Sequence, residues 1–491
     1  MWLKVKAFLF YNRTTKQTLA KNTFWLAVSN FGGRIIRAFI VIYAARVLGA
    51  VGWGAFSYAV TLAAFLTIFT DFGINSLLTR EASKEIDPQT RARLLSTTFI
   101  LKLVSVLIGV LIVIFFAPYL ITLKEALPIL PIVAFVLLFD TLRDFAFSVT
   151  RSLEKMEWEA ASFIFTNVAI LVFGLIFLKL DPTVSSFTFA YAAGSAAGTV
   201  VTFWAIRKHL GQLLRGFTKS LVRPILVSAW PFALSGILGA LMVNTDVLII
   251  GWLRPAAEVG FYSAAQRIIL LLYIIPGVLS TSIFPLLSRL ASKDDKRTIR
   301  TVVESSLTSV FLVALPIMSG GIILAEPLTR LVFGPEYLPG TLSLQILLLT
   351  VPLNFAAIIL SNLVFAYNEQ KKLAIYAAIG GILNIILDLA FIPLWGIAGS
   401  SFATFCVQLV SMSYLWWVAK RIVPFELLPR IRKMVVASVL MCGGLVLLLP
   451  LHLKVLPLIG GGAIFYFAVL YFWREPLFDE ARLIFGQVKE N

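Results

Sequence analysis

Residues 23–49 read TFWLAVSNFGGRIIRAFIVIYAARVLG. A helix needs about 20 apolar residues to cross the hydrocarbon core of a bilayer, and this run is long enough. Arg34 and Arg37 nevertheless sit near its middle. A charge at bilayer depth is costly, so such side chains face a protein interior or a water-filled path. In a helix the two arginines are three positions apart and Asn30 lies one turn before Arg34, which places all three on one face. The stretch therefore predicts a transmembrane helix whose polar face lines a cavity that accepts an anion. The competing reading buries both arginines against Asp71 or Asp246 as structural ion pairs.

Working outward, 59% of the 491 residues are hydrophobic and 14% are charged, against roughly a quarter charged in soluble domains. This is the composition of a polytopic membrane protein. The formal charge of +17 lies in short basic clusters between apolar runs, which does not fit a nucleic-acid partner. Cys406 and Cys442 fall inside apolar segments with no neighbour at ligand spacing, so no disulfide, metal site or cofactor is expected. The first 22 residues have a basic start but a broken apolar run and no small-residue cleavage pattern, so they read as a segment on the membrane surface.

About fourteen apolar runs follow, near 23–46, 53–77, 94–117, 127–150, 159–179, 184–206, 225–252, 260–287, 301–325, 341–366, 373–394, 397–419, 433–451 and 455–473. With the N-terminus inside, alternate loops carry dense clusters such as Arg80, Lys84, Arg91 and Arg93, or Arg289, Lys293, Lys296, Arg297 and Arg300. The opposite turns hold only Arg46, Lys124, Lys179, Arg254, Arg330 and Lys454. By the positive-inside rule both termini are cytoplasmic in a multi-pass protein of the cytoplasmic membrane. Trp25, Trp53, Trp252, Trp395, Trp416, Trp417 and Trp473 fall near the predicted interfaces, as in an aromatic belt. His209 and His452 sit at span ends.

The chain repeats itself. Gly54-Ala55-Phe56-Ser57-Tyr58-Ala59 recurs as Gly260-Phe261-Tyr262-Ser263-Ala264-Ala265, and Leu78–Glu85 recurs as Leu287–Asp294. The copies are six spans apart, an even number, so the halves are parallel repeats. Residues 1–212 form the first six-helix lobe and 213–430 the second, with a basic hinge at 207–223. Residues 431–491 hold spans thirteen and fourteen and a cytoplasmic tail. Two lobes around a central site are the layout of a transporter.

The segments AARVLGAVGWGAFSYA and DFGINSLLTREASK, with NTDVLIIGWLRPAAEVGFYSAAQRI and DLAFIPLWGIAGSSFAT in the second half, resemble the polysaccharide transporter, or oligosaccharide flippase, family. That family lies in the multidrug, oligosaccharidyl-lipid and polysaccharide exporter superfamily. The resemblance implies an all-α fold with a V-shaped pair of lobes. It also implies a non-enzymatic task, moving a polyprenyl-diphosphate-linked oligosaccharide from the inner to the outer leaflet. A central arginine at Arg267 follows from the same resemblance.

The remaining ionisable residues at membrane depth sort by neighbourhood. Arg34, Arg37, Asn30, Arg267 and Lys102 are the candidates for the substrate cavity, with snorkelling to an interface the alternative for Arg267 and Lys102. Asp246, Asp388 and Asp71 are candidates for coupling to Na+ or H+. Asp140, Arg143 and Asp144 lie at helical spacing on one span and read as mutually neutralising. Buried bases and acids balance in number, so the sign of the cavity depends on which groups face it. The expected partners are a lipid-linked oligosaccharide, membrane lipids and Na+ or H+. Rival readings are a cation-coupled drug or organic-cation antiporter on the same fold, and a membrane glycan polymerase or ligase, which would need a sizeable extramembrane loop that the chain lacks.

Overall fold

A computed structural model describes residues 15–85, 87–451 and 453–473. The expected surface position of the N-terminal segment before residue 15, the interfacial position of His452 and the cytoplasmic tail after residue 473 lie outside them. The described residues are almost all helical, with no strand among them. In lipid a backbone N–H or C=O has no water to bond, and a helix satisfies these groups within itself. The helices longer than eight residues are α1 (Thr15–Asp71), α2 (Ile74–Ala82), α3 (Pro88–Leu111), α4 (Leu130–Ser152), α5 (Met156–Leu180), α6 (Val184–Ala205) and α7 (Lys219–Leu253). They continue as α8 (Ala256–Leu272), α9 (Ile274–Ala291), α10 (Lys296–Ile323), α11 (Val351–Ala366), α12 (Gln370–Ile422), α13 (Leu428–Leu448) and α14 (Val455–Phe472).

Among the described residues ten helices are long and apolar enough to cross a membrane, or up to twelve if two bent pairs each count as one span. Fourteen spans were expected. The shortfall falls on α1 and α12, of 57 and 53 residues. Straight helices of that length would run about 80 Å at 1.5 Å per residue, far beyond a hydrocarbon core of about 30 Å. Each is broken once, α1 at Gly49 (φ 67°) and α12 at Gly396 (φ 58°). Only glycine enters that left-handed region without a Cβ penalty, so each break folds two of the expected spans into one continuous element.

The chain divides into two compact units, Met1–Ser263 and Ala264–Asn491. The repeat puts a boundary at 212/213; packing puts it inside α8, because α7 lies against the helices of the first unit. Within that unit α5 and α6 approach closely through Gly194 and Gly198. A Cβ on Gly198 would come within 1.9 Å of Thr166 Oγ1, a small-residue contact of the kind that holds membrane helices together where hydrophobicity cannot. The equivalent glycines of the repeated motif also meet. A Cβ on Gly54 would lie 1.8 Å from the carbonyl oxygen of Ala256, and one on Gly260 would lie 2.0 Å from that of Ala50.

The repeat extends beyond the motifs. After the sixth helix of the first half, the Thr218 backbone N–H donates to Thr97 Oγ1 at 3.1 Å, near the start of α3. After α12 the Glu426 backbone N–H donates to Glu304 Oε1 at 2.9 Å, near the start of α10. Each half thus folds its exit segment back onto the beginning of its own third helix. Glu304 is buried and also takes Arg300 Nε at 2.8 Å and Arg430 at 2.7 Å. That carboxylate fastens α13 to α10. Trp53 is an exception to the aromatic belt: it is fully buried against Phe56.

Replacing Gly260 by Val therefore drives a side chain into a backbone carbonyl that cannot move aside. The variant should lose about 3 kcal/mol or more, at or beyond the upper end of ordinary overpacking, whereas Gly239→Val, with nothing within 4 Å of its Cβ position, should melt like the parent. Thermal unfolding of the two purified variants in one detergent reads the difference.

Candidate functional site

The densest group of charges within the first unit forms where α1 ends. Phe72 and Gly73 both take positive φ, 46° and 73°, so the helix stops at Asp71 and restarts as α2 at Ile74. The break frees backbone groups at membrane depth, and the Asp71 carboxylate meets one of them: the Asn75 N–H donates to its Oδ1 at 3.3 Å. Ser105 on α3 meets another, its hydroxyl donating to the Thr70 carbonyl at 2.7 Å. Lys102, one turn before Ser105, brings Nζ to 2.6 Å from Asp71 Oδ1. The lysine side chain is 0% exposed and that of the aspartate is 22% exposed.

On α4 the spacing reading holds. Arg143 pairs with Asp140 at 2.7 Å and with Asp144 at 3.4 Å, and its guanidinium lies 5.8 Å from the Phe147 ring centroid. The two sets, Asp71 with Lys102 and Asp140 and Asp144 with Arg143, lie on neighbouring helices whose Thr70 and Thr141 hydroxyls approach to 3.5 Å. Together they carry one negative charge in excess when fully ionised.

The polar face of α1 separates into two parts. Arg37 is half-buried: its Nε donates to Asn167 Oδ1 on α5 at 2.8 Å, and its guanidinium lies 5.6 Å from the Tyr191 ring on α6. Arg34 and Asn30 are exposed. Asn30 returns its amide to the Leu26 carbonyl at 2.9 Å. Neither arginine is ion-paired to a described residue, and Asp71 goes to Lys102 instead.

Asp246, on α7, is buried and accepts the hydroxyl of Tyr262 on α8, itself fully buried. In the second unit Arg267 is half-buried. Asp388 is fully buried on α12, and Asn384, also buried, lies one turn before it on the same face. The structure thus joins Lys102 with Asp71 and assigns Arg37 and Asp246 partners of their own. The residues that sequence reasoning missed are the neutral ones, Asn167, Tyr191, Tyr262 and Asn384. Only Asn384 had a local signal, its i, i+4 spacing from an aspartate inside an apolar run.

A family model described as "Polysaccharide biosynthesis protein" matches residues 19–291, and the MatE model matches residues 231–390. The chain is 26% identical over 402 residues to the "Probable low-salt glycan biosynthesis flippase Agl15" of Haloferax volcanii, covering 79% of this chain and 80% of that one. It is 23% identical to the "Putative O-antigen transporter" of Shigella flexneri, covering 82% and 98%. Among solved structures, the lipid II flippase MurJ in an inward closed conformation superimposes with a TM-score of 0.78 at 20% identity, over 92% of this chain and 99% of that one. An inward-facing multidrug resistance transporter of the MATE family superimposes with a TM-score of 0.65 at 13% identity, over 81% of this chain and 98% of that one. These likenesses establish the fold.

The buried pair is open to a direct check. Lys102→Met leaves the Asp71 carboxylate without its cation and should cost about 3–5 kcal/mol, the usual penalty for removing one partner of a buried ion pair. Adding Asp71→Asn to it should recover a large part. A double-mutant cycle on thermal unfolding reads the coupling, and additive losses would dissolve the pair.

Proposed function

The chain belongs to the polysaccharide biosynthesis protein family, and from that premise we propose that it is a flippase for a polyprenyl-diphosphate-linked oligosaccharide. The substrate moves from the inner to the outer leaflet of the cytoplasmic membrane by alternating access, with both termini of the protein cytoplasmic. The relatives named as a glycan biosynthesis flippase and an O-antigen transporter support the substrate class. The observation that carries the reading is Arg34, exposed near the middle of an apolar span with no ion pair among the described residues. A guanidinium in that position must meet water or an anion. Its planar fork suits the oxygens of a diphosphate through bidentate, charge-assisted bonds.

Arg37, held from behind by Asn167, is the positioned partner in this reading. Asn30 extends the polar face toward the sugar, and Arg267 serves the cavity from the second lobe. Lys102, fully buried behind Asp71, reaches substrate only when that pair opens. Asp246, Asp388 and Asp71 are the groups that exchange Na+ or H+ as the lobes alternate. Outward movement of an anion also runs with an inside-negative potential, worth about 2.3 kcal/mol per charge per 100 mV. The protein in this reading moves its substrate without making or breaking a bond in it.

A second reading has a specific observation behind it. The two sets of charges on α1, α3 and α4 hold more carboxylates than cations, and the MatE model covers residues 231–390, which favours an organic-cation antiporter. The arginines decide between them. In proteoliposomes, Arg34→Ala with Arg37→Ala should slow translocation of a lipid-linked oligosaccharide about a hundred-fold, the order expected for two charge-assisted contacts, while leaving the monodisperse folded fraction unchanged. Full translocation by the double variant, or uptake of a labelled organic cation driven by a Na+ or H+ gradient, would remove the flippase reading.

A further inference from the structure

Within the first unit a groove of about 680 Å³ opens on the surface between the end of α1, α3 and the start of α7. Phe69, Phe72, Val104, Ile108, Val227 and Trp230 give it an apolar wall. Its only hydroxyls, Thr70 and Ser105, are already committed: Thr70 donates to the Thr67 carbonyl at 2.9 Å and Ser105 to the Thr70 carbonyl at 2.7 Å. The hydroxyl protons of the wall are therefore spent within the protein, and its surface is almost wholly apolar. Along α3 the lining runs from Leu101 to Ile112, about 16 Å at 1.5 Å per residue, which is half of a hydrocarbon core of about 30 Å. Within the expected span 94–117 this stretch lies about the middle of the membrane.

What distinguishes it from an ordinary lipid-facing hollow lies one turn beyond its end. Lys219, Arg223, Leu226, Val227 and Trp230 fall at i, i+4, i+7, i+8 and i+11 of α7, on one stripe. The last three line the groove and the first two are exposed cations with no ion pair among the described residues. A single apolar slot that ends beneath two free cations matches an amphiphile with one chain and a head carrying more than one negative charge. A two-chain phospholipid with one phosphate fits that pattern poorly.

We propose that this groove holds the isoprenoid chain of the lipid-linked substrate, entering from the cytoplasmic side, with Arg223 and Lys219 over its diphosphate. The inference rests on the flippase reading and adds to it a waiting site outside the central path. The break at Phe72-Gly73 ties the two together: Phe72 lines the groove while its neighbour Asp71 binds Lys102. A chain seated against Phe72 presses on the residue that sets the bend in the helix.

The test uses the full-length protein in proteoliposomes with a benzophenone-tagged undecaprenyl diphosphate and, separately, a benzophenone-tagged phosphatidylglycerol. Illumination followed by peptide mapping should place the isoprenoid label on peptides containing Phe69, Phe72 or Trp230, and untagged undecaprenyl diphosphate should compete it away. Val227→Trp, which fills the groove from a position 63% exposed, and Arg223→Glu, which reverses the charge above it, should each cut that label about ten-fold, the order of one charge-assisted or well-packed contact. Val243→Trp, exposed on another face of α7, should not. Equal labelling by the phosphatidylglycerol probe, or isoprenoid labelling untouched by both groove variants, would overturn the assignment. Translocation by a wild-type protein whose groove stays unlabelled would sink the groove and keep the flippase. Labelling without translocation would keep the groove as an isoprenoid site and sink the flippase.

Discussion

Hydrocarbon offers no partner to a charge or to an open backbone group, and the interior of this protein is arranged around that fact. Where α1 breaks at Phe72-Gly73, Asp71 takes the Asn75 N–H and the Lys102 ammonium, and Ser105 takes the Thr70 carbonyl. On α4 Arg143 is neutralised by Asp140 one turn before it and by the adjacent Asp144. Removing Lys102 leaves the Asp71 carboxylate without its cation in surroundings that solvate a charge poorly, which makes the pair costly to disturb.

Satisfaction of polar groups and close packing of small residues divide the work. Hydrophobicity drives nothing between helices in lipid, so contacts through Gly194, Gly198, Gly54 and Gly260 bring backbones together. Glu304 does by charge what these glycines do by size, joining α10 to α13 and to the loop before it through three donors. The same docking position in the first half is served by a neutral pair, Thr218 and Thr97. The halves kept the architecture and changed the chemistry of the fastening.

The opening span shows how far charge alone can mislead. Arg34 and Arg37 share a helix face, yet one is exposed and the other is held by Asn167 beneath Tyr191. A guanidinium fixed by a neutral amide keeps its charge uncompensated, whereas one fixed by a carboxylate would not. Asparagine at 167 preserves the positive character of that face. The carboxylates Asp71, Asp140 and Asp144 are instead paired with Lys102 and Arg143 elsewhere in the same half.

From the chain alone came the membrane class, the repeated motifs, the family and the mutual neutralisation of Asp140, Arg143 and Asp144. Each of these is carried by periodicity, by charge asymmetry or by groups within one helical turn, and such relations survive without knowledge of what touches what. The tertiary structure decided that Lys102 belongs to Asp71, that Arg37 belongs to Asn167, that Asp246 takes Tyr262 and that Glu304 binds an arginine 126 residues away. It also decided that α1 and α12 each fold two spans at a single glycine. The partner of a buried charge is chosen by which helices lie side by side, and in a bundle of similar apolar helices no local pattern states that choice.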